Sequence, residues 1–245
     1  MSSPFQKKFS SNSPIKQRLT TDPVSNEQLI QNYYKARLAT GRFDDQLGDG
    51  QIEAGLENIK KTRRVTKSEF EDMGYETDGG SGGYGPQDQA SWVEPTIFQR
   101  LTGTTAESTD LHEKVHQFEV GTTGKTGSSK PDDVKRYGNS NIVQAIKNIP
   151  GRSFEGKPTA IGEYMHPQEV AAELVRFKIE NGIDPAKIYN KEDLPELRSK
   201  LQKEKEYGMF NINQSYDDDG LLRLFNEVAA NDNKQLPFTS KNRVV

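Results

Sequence analysis

One five-residue run sets the strongest condition on how this chain folds. His112-Glu113-Lys114-Val115-His116 reads H-E-x-x-H. On a helix, residues four apart face the same way, so both imidazoles share one side. Two neutral imidazoles at that spacing can hold one Zn²⁺, and Glu113 between them can act on a water activated by the metal. A fold that uses this run must make it helical, bury one side of the helix and bring a further ligand from elsewhere. Leu111, Val115 and Phe118 recur at i, i+4 and i+7 and supply the buried stripe. Thr104-Thr105-Ala106-Glu107 reads as a capping box that opens the helix, and Gly121 as its stop.

A catalytic zinc usually takes three protein ligands and keeps one position for water. The motif supplies His112 and His116. The chain's other histidine, His166, lies in Tyr164-Met165-His166-Pro167-Gln168-Glu169, at the start of a strongly helical stretch. Glu169 is the chosen third ligand, because the first turn of a helix also favours an acid through the helix dipole. Glu173, one turn on, and Glu163, just before, are the alternatives. His166 is a ligand or a donor to one. Tyr164 is a candidate oxyanion donor from its position beside this stretch. The chemistry this set implies is hydrolysis of a peptide bond, with Glu113 as general base and then acid.

The remaining pattern is helical. Residues 26–41 read as a helix capped by Asn26 and stopped by Gly41, with Leu29, Ile30, Tyr33 and Tyr34 on one side. A short helix covers 51–61, and Thr66-Lys67-Ser68-Glu69 is a capping box for another that ends at Gly74. Helices also read at 139–149, at 167–181 with Gly182 closing it, from an Asp193 cap through Leu197 and Leu201, and at 218–230. Residues 77–86 are glycine-rich and read as a flexible linker, with Trp92 and Phe98 anchoring the chain after it.

Composition narrows the function classes. Apolar residues make up 31% and charged residues 28%, which is lean for one globule of 245 residues. A modest core with long polar segments ordered by partners follows. A net charge of −3 gives no bulk attraction to nucleic acid or to an anionic membrane, and Lys60-Lys61-Thr62-Arg63-Arg64 lacks interleaved aromatics. No specific nucleic acid and no membrane insertion are therefore expected; no apolar run reaches spanning length. The absence of cysteine removes a disulfide framework and a Cys-ligated zinc. The run Gly121-Thr122-Thr123-Gly124-Lys125-Thr126-Gly127 is not a phosphate loop, since the position five before Gly124 is Glu119 rather than glycine.

His112-Glu113-Lys114-Val115-His116, followed by Tyr164 to Leu174, resembles the zincin-type metallopeptidases whose third ligand is a downstream Glu. It is close to zincin-like proteins encoded by tailed phages, in which an aromatic-x-x-Pro-x-Glu helix start carries that ligand. The match implies His112, His116 and Glu169 as zinc ligands and Glu113 as general base, and it spans about residues 104–230. It departs at Asp110 and Lys114, charged where zinc peptidase helices carry uncharged residues. The arm Ser3-Pro4-Phe5-Gln6-Lys7-Lys8-Phe9-Ser10 and the tail Leu224 to Asn233 are similar to the ends of virion proteins of crAss-like and related phages.

The expected architecture is mainly α, with α+β as the alternative: a zincin-like helical domain with extended arms. Residues 1–25 form a docking arm, 26–76 an N-terminal helical segment, 77–90 a Gly-rich linker, 91–230 the zincin-like domain and 231–245 a C-terminal tail. The expected function is a virion-associated protein of a tailed phage with a Zn²⁺ metallopeptidase-like domain. Its partners would be other virion proteins, reached through the arms, and a peptide substrate. The alternative is a non-enzymatic virion subunit: a ring, head–tail junction or cargo protein.

Overall fold

The computed structural model describes residues 24–40, 49–77, 80–97, 100, 105–123, 167–204, 212–214 and 216–226. They are mainly helical, with one small sheet. Among them no helix is long and apolar enough to cross a membrane. Residues 1–23 of the docking arm, the loop at 124–127, the 139–149 helix, Phe98 and the C-terminal tail lie outside the described residues.

Helix α1 (Asn26–Leu38) buries Leu29, Ile30, Tyr33 and Tyr34. Its cap is Ser25, whose hydroxyl accepts the Gln28 N–H at 3.3 Å. Asn26, expected as the cap, instead donates to Asp110 Oδ2 at 2.8 Å and to Glu107 O at 3.2 Å. Helix α2 (Asp49–Lys61) follows, then strand β1 (Arg63–Arg64) and helix α3 (Lys67–Asp72). The Thr66 capping box is present with Glu69, and Gly74 at φ +88 ends the turn after α3.

Strands β2 (Gly82–Gly85) and β3 (Ala90–Val93) run antiparallel, with Gly82 opposite Val93 and Gly85 opposite Ala90. Strand β1 joins β3 in parallel, giving the order β1-β3-β2. This corrects the linker reading of 77–90. The glycines there mark close approach: a side chain on Gly82 would strike Thr109 and Glu113. Phe70, Ala90 and Trp92 form a small second core beneath the sheet, with Tyr75 stacked on Phe70.

Helix α4 (Ala106–Thr123) carries the histidine motif. Its cap is Thr105, whose Oγ1 accepts the Ser108 N–H at 3.0 Å. Thr104, the expected cap of a box with Glu107, lies outside the described residues. The helix also runs through Gly121 instead of stopping there. A Cβ on Gly121 would lie 2.7 Å from Ala54 O and 2.8 Å from Gly55 Cα of α2. One on Gly55 would meet the Phe118 ring at 2.6 Å. The two glycines thus let α2 and α4 touch backbone to backbone. Gly121→Ala should gain up to about 1 kcal/mol of helix propensity and lose about 1–3 kcal/mol to overpacking against backbone that cannot move aside. A lowered urea midpoint at unchanged m-value is the expected result; an unchanged or raised midpoint would contradict the crossing.

Helix α5 (Pro167–Glu180) packs on α4. Gly182, at φ +59, closes it: Ile183 N–H reaches Lys178 O at 2.8 Å and Gly182 N–H reaches Ile179 O at 3.1 Å. Asn190 caps a 3₁₀ turn (Lys191–Asp193) that leads into helix α6 (Leu194–Lys203). Asp193, expected as the cap, serves as the acidic partner in that Asn190 box. Helix α7 (Asp218–Asn226) is tied to α6 by Arg198, which bonds Asp218, Asn213 and Tyr216.

The main core joins both halves of the chain. Leu29, Ile30 and Ile52 from the N-terminal helices share it with Leu111, Val115 and Phe118 of α4, Val170, Leu174 and Phe177 of α5, Leu197 of α6 and Leu221 of α7. The expected division between 26–76 and 91–230 is therefore not a division of the core.

Candidate metal centre

α4 turns Leu111, Val115 and Phe118 fully into the core, as their spacing requires. That rotation leaves His112 and His116 on the flank that meets the first turn of α5. Glu169 faces them from there, 57 residues downstream of His112. His112 Nε2 lies 3.2 Å from Glu169 Oε2, His116 Nε2 lies 3.4 Å from the same oxygen, and the two Nε2 atoms are 3.0 Å apart. The three residues form a group that could hold a metal ion.

The triangle has the dimensions of a metal site. Tetrahedral zinc, with bonds of about 2.0–2.1 Å, separates its ligand atoms by about 3.3 Å. Imidazole and carboxylate donors without thiolate also suit that borderline ion. The Glu169 side chain is 32% exposed and the two imidazoles only 13–14%, so the group opens to solvent on the carboxylate side.

The charges are arranged for a cation. Burial acts against protonation of both histidines, but the facing carboxylates outweigh it. Glu169 and Glu173 hold His112 well above its ordinary range, and Glu169 raises His116. Burial pushes Glu169 up, and His116 and His112 more than offset this, holding it well below the usual carboxylate range. Glu113 moves the other way. Burial is its largest influence and raises it, His112 and His116 oppose, and Glu169 and Glu173 add to the rise. A buried, raised carboxyl beside the imidazoles has the character of a general base.

Strand β2 encloses Glu113. A Cβ on Gly82 would lie 3.1 Å from Glu113 Cγ and 2.7 Å from Thr109 Cγ2, so only glycine lets the strand lie on this part of α4.

Asp110 and Lys114, the charged residues beside the two histidines, are engaged away from the triangle. Asp110 bonds Arg64 of β1 at 2.7 Å and Lys114 at 2.9 Å, besides Asn26 of α1. Lys114 also pairs with Glu27 at 2.6 Å. These charges fasten α4 to α1 and β1.

The structure brings together four of the site residues read from sequence: His112, His116, Glu169 and Glu113. Tyr164, His166 and Glu163 lie outside the described residues. Glu173, an alternative ligand by sequence, takes a different position. Its Oε1 stands 3.1 Å from His112 Nδ1, on the side of the ring away from the triangle. The contact meets an ion-pair distance without aligned hydrogen-bond geometry. Sequence reasoning missed Arg176, whose Nε and Nη2 donate to Glu173 Oε2 at 3.0 and 2.8 Å. The signal was available: Glu169, Glu173, Arg176 and Glu180 fall at i, i+4, i+7 and i+11, a continuous polar face.

No protein-family model, curated protein or solved structure matches this chain.

Proposed function

We propose that the chain is a zinc-dependent metallopeptidase-type protein of a tailed-phage particle. The observation that carries the enzymatic half is the triangle of ligand atoms with edges of 3.0, 3.2 and 3.4 Å, drawn from two helices and spaced for a tetrahedral ion. His112 Nε2, His116 Nε2 and Glu169 Oε2 would hold the zinc. When bound, zinc supplies Lewis acidity that acidifies water and polarises a carbonyl. Glu113 takes one proton from the attacking water on its carboxylate and delivers it to the amine as the C–N bond breaks. Glu173 steadies the His112 ring from behind.

A peptide as substrate is favoured by β2. It is an edge strand among the described residues, and its Gly82 lies on Glu113. A sheet edge offers unpaired backbone groups to an extended chain. The particle half of the reading rests on the resemblance of the 1–25 arm and the C-terminal tail to virion proteins, and on a lean composition that suits a chain ordered by neighbours.

Metal content by elemental mass spectrometry, on the wild-type chain and on a His112→Ala, His116→Ala double variant, tests the centre. About one zinc per chain, absent from the variant, is the expected result. No zinc in either protein, after chelator-free purification and zinc add-back, would end the peptidase reading and leave a structural virion subunit.

A further inference from the structure

Arg176 is 1% exposed, though its neighbours on the polar face of α5 are acids that could reach water. It is held from several directions. Glu173 Oε2 accepts from Nε and Nη2, and Glu180 Oε2 accepts from Nη1 at 2.5 Å. Ser108 Oγ, on the histidine helix itself, lies 3.0 Å from Nη1, and Glu204, just past α6, lies 3.8 Å from Nη2. The guanidinium fork has the geometry to hold all of these at once; an ammonium does not.

The division of labour at Glu173 gives this cluster its meaning. One carboxylate oxygen is occupied by Arg176, and the other faces His112 Nδ1. The position of Arg176 therefore fixes the oxygen that faces the ring. The ring's angle in turn fixes where Nε2 stands relative to His116 and Glu169. Because Arg176 also grips Ser108, it sets α5 against α4 at the height of the ligands.

We infer that Arg176 is a positioning residue for the metal centre, setting metal affinity through Glu173 and His112; this rests on the zinc reading above. Without the fork, Glu173 is free to turn and His112 loses its fixed orientation. Outer partners of this kind are typically worth about 10–100-fold in metal affinity.

The test is zinc affinity by chelator competition, with the Co²⁺ absorption spectrum as a second readout, for Arg176→Lys. Arg198→Lys serves as control, because Arg198 sits in a comparable network between α6 and α7 away from the ligands. Arg176→Lys should bind zinc about 10–100-fold more weakly and shift the cobalt bands, while Arg198→Lys changes neither. In a Glu173→Gln background, Arg176→Lys should lose most of its effect, keeping only what the Ser108 bond contributes. Wild-type affinity and spectrum in Arg176→Lys would overturn the inference, and so would an equal loss in Arg198→Lys. If Arg176→Lys does not fold, Glu180→Gln loosens the same guanidinium, and unchanged affinity there overturns it too. A wild-type chain that binds no zinc removes the centre itself, a failure distinct from zinc-binding chains that ignore Arg176.

Discussion

Glu113→Gln is expected to lower peptide hydrolysis by about 10²–10⁴-fold while zinc stoichiometry stays at the wild-type value. The substitution keeps the shape of the side chain beside Gly82, where little space remains. It removes only the capacity to take a proton. Burial raises the carboxyl of Glu113, and the neighbouring Glu169 and Glu173 add to this against His112 and His116, so the wild-type group is a stronger base than an exposed glutamate. Zinc should be retained because the ligand triangle is made by His112, His116 and Glu169. Initial rates on a fluorogenic peptide mixture, read beside metal content, separate the two effects. Wild-type rates in the variant would remove Glu113 from the reaction. Loss of zinc together with activity would make it part of the binding site instead.

The second large effect is on the stability of the metal-free chain, which is expected to be greatest between about pH 4.5 and 6.5. Burial pushes Glu173 up, but Arg176 and His112 outweigh it and hold the carboxyl down to about 2, against an ordinary 4.5. A depressed acid stabilises the fold above its unfolded value, and this contribution disappears as the pH falls toward 2. The difference, 4.5 − 2, is about 2.5 units, or on the order of 3 kcal/mol at about 1.4 kcal/mol per unit. His112 has the opposite sign. It is raised well above 6.5, so its contribution is full below 6.5 and is lost as pH climbs through the raised value. The two describe one coupled interaction, so their effects do not add. Urea unfolding in the presence of chelator checks this. The stability gap between the wild type and Glu173→Gln should hold level from pH 6 to about pH 5 and narrow as the pH falls from there to 3; a constant gap throughout would contradict the role given to Glu173.

Within single elements the reading of the chain was close. The buried stripe of α4, the Thr66 capping box, the Gly182 stop and the shared side of His112 and His116 all depend on 3.6-residue periodicity or on bonds within one turn. Even the choice of Glu169 used only its place in the first turn of a helix. Local rules failed where two elements compete for the same residue. Asn26 has the side chain of a cap, but Asp110 of α4 is a better partner, so Ser25 caps α1. Asp193 does stand at the N-cap position of α6, but its carboxylate accepts the Asn190 N–H and makes no cap bond to that helix.

The glycines show the same limit more sharply. Gly121 has the composition of a helix stop and Gly82 that of a loose linker, yet both sit where a neighbouring backbone or side chain leaves no room for a Cβ. Composition cannot distinguish a glycine needed for flexibility from one needed for contact. The sequence by itself determined most of the described helices and the face that carries both imidazoles, and it singled out Glu169 as the first of several candidates to join them. Only the tertiary structure decided that Glu173 and Arg176 stand behind His112, that Asp110 and Lys114 are engaged elsewhere, and that a strand lies over Glu113. Periodicity reports which side of one helix is buried, whereas those contacts depend on how closely and at what height separate elements cross.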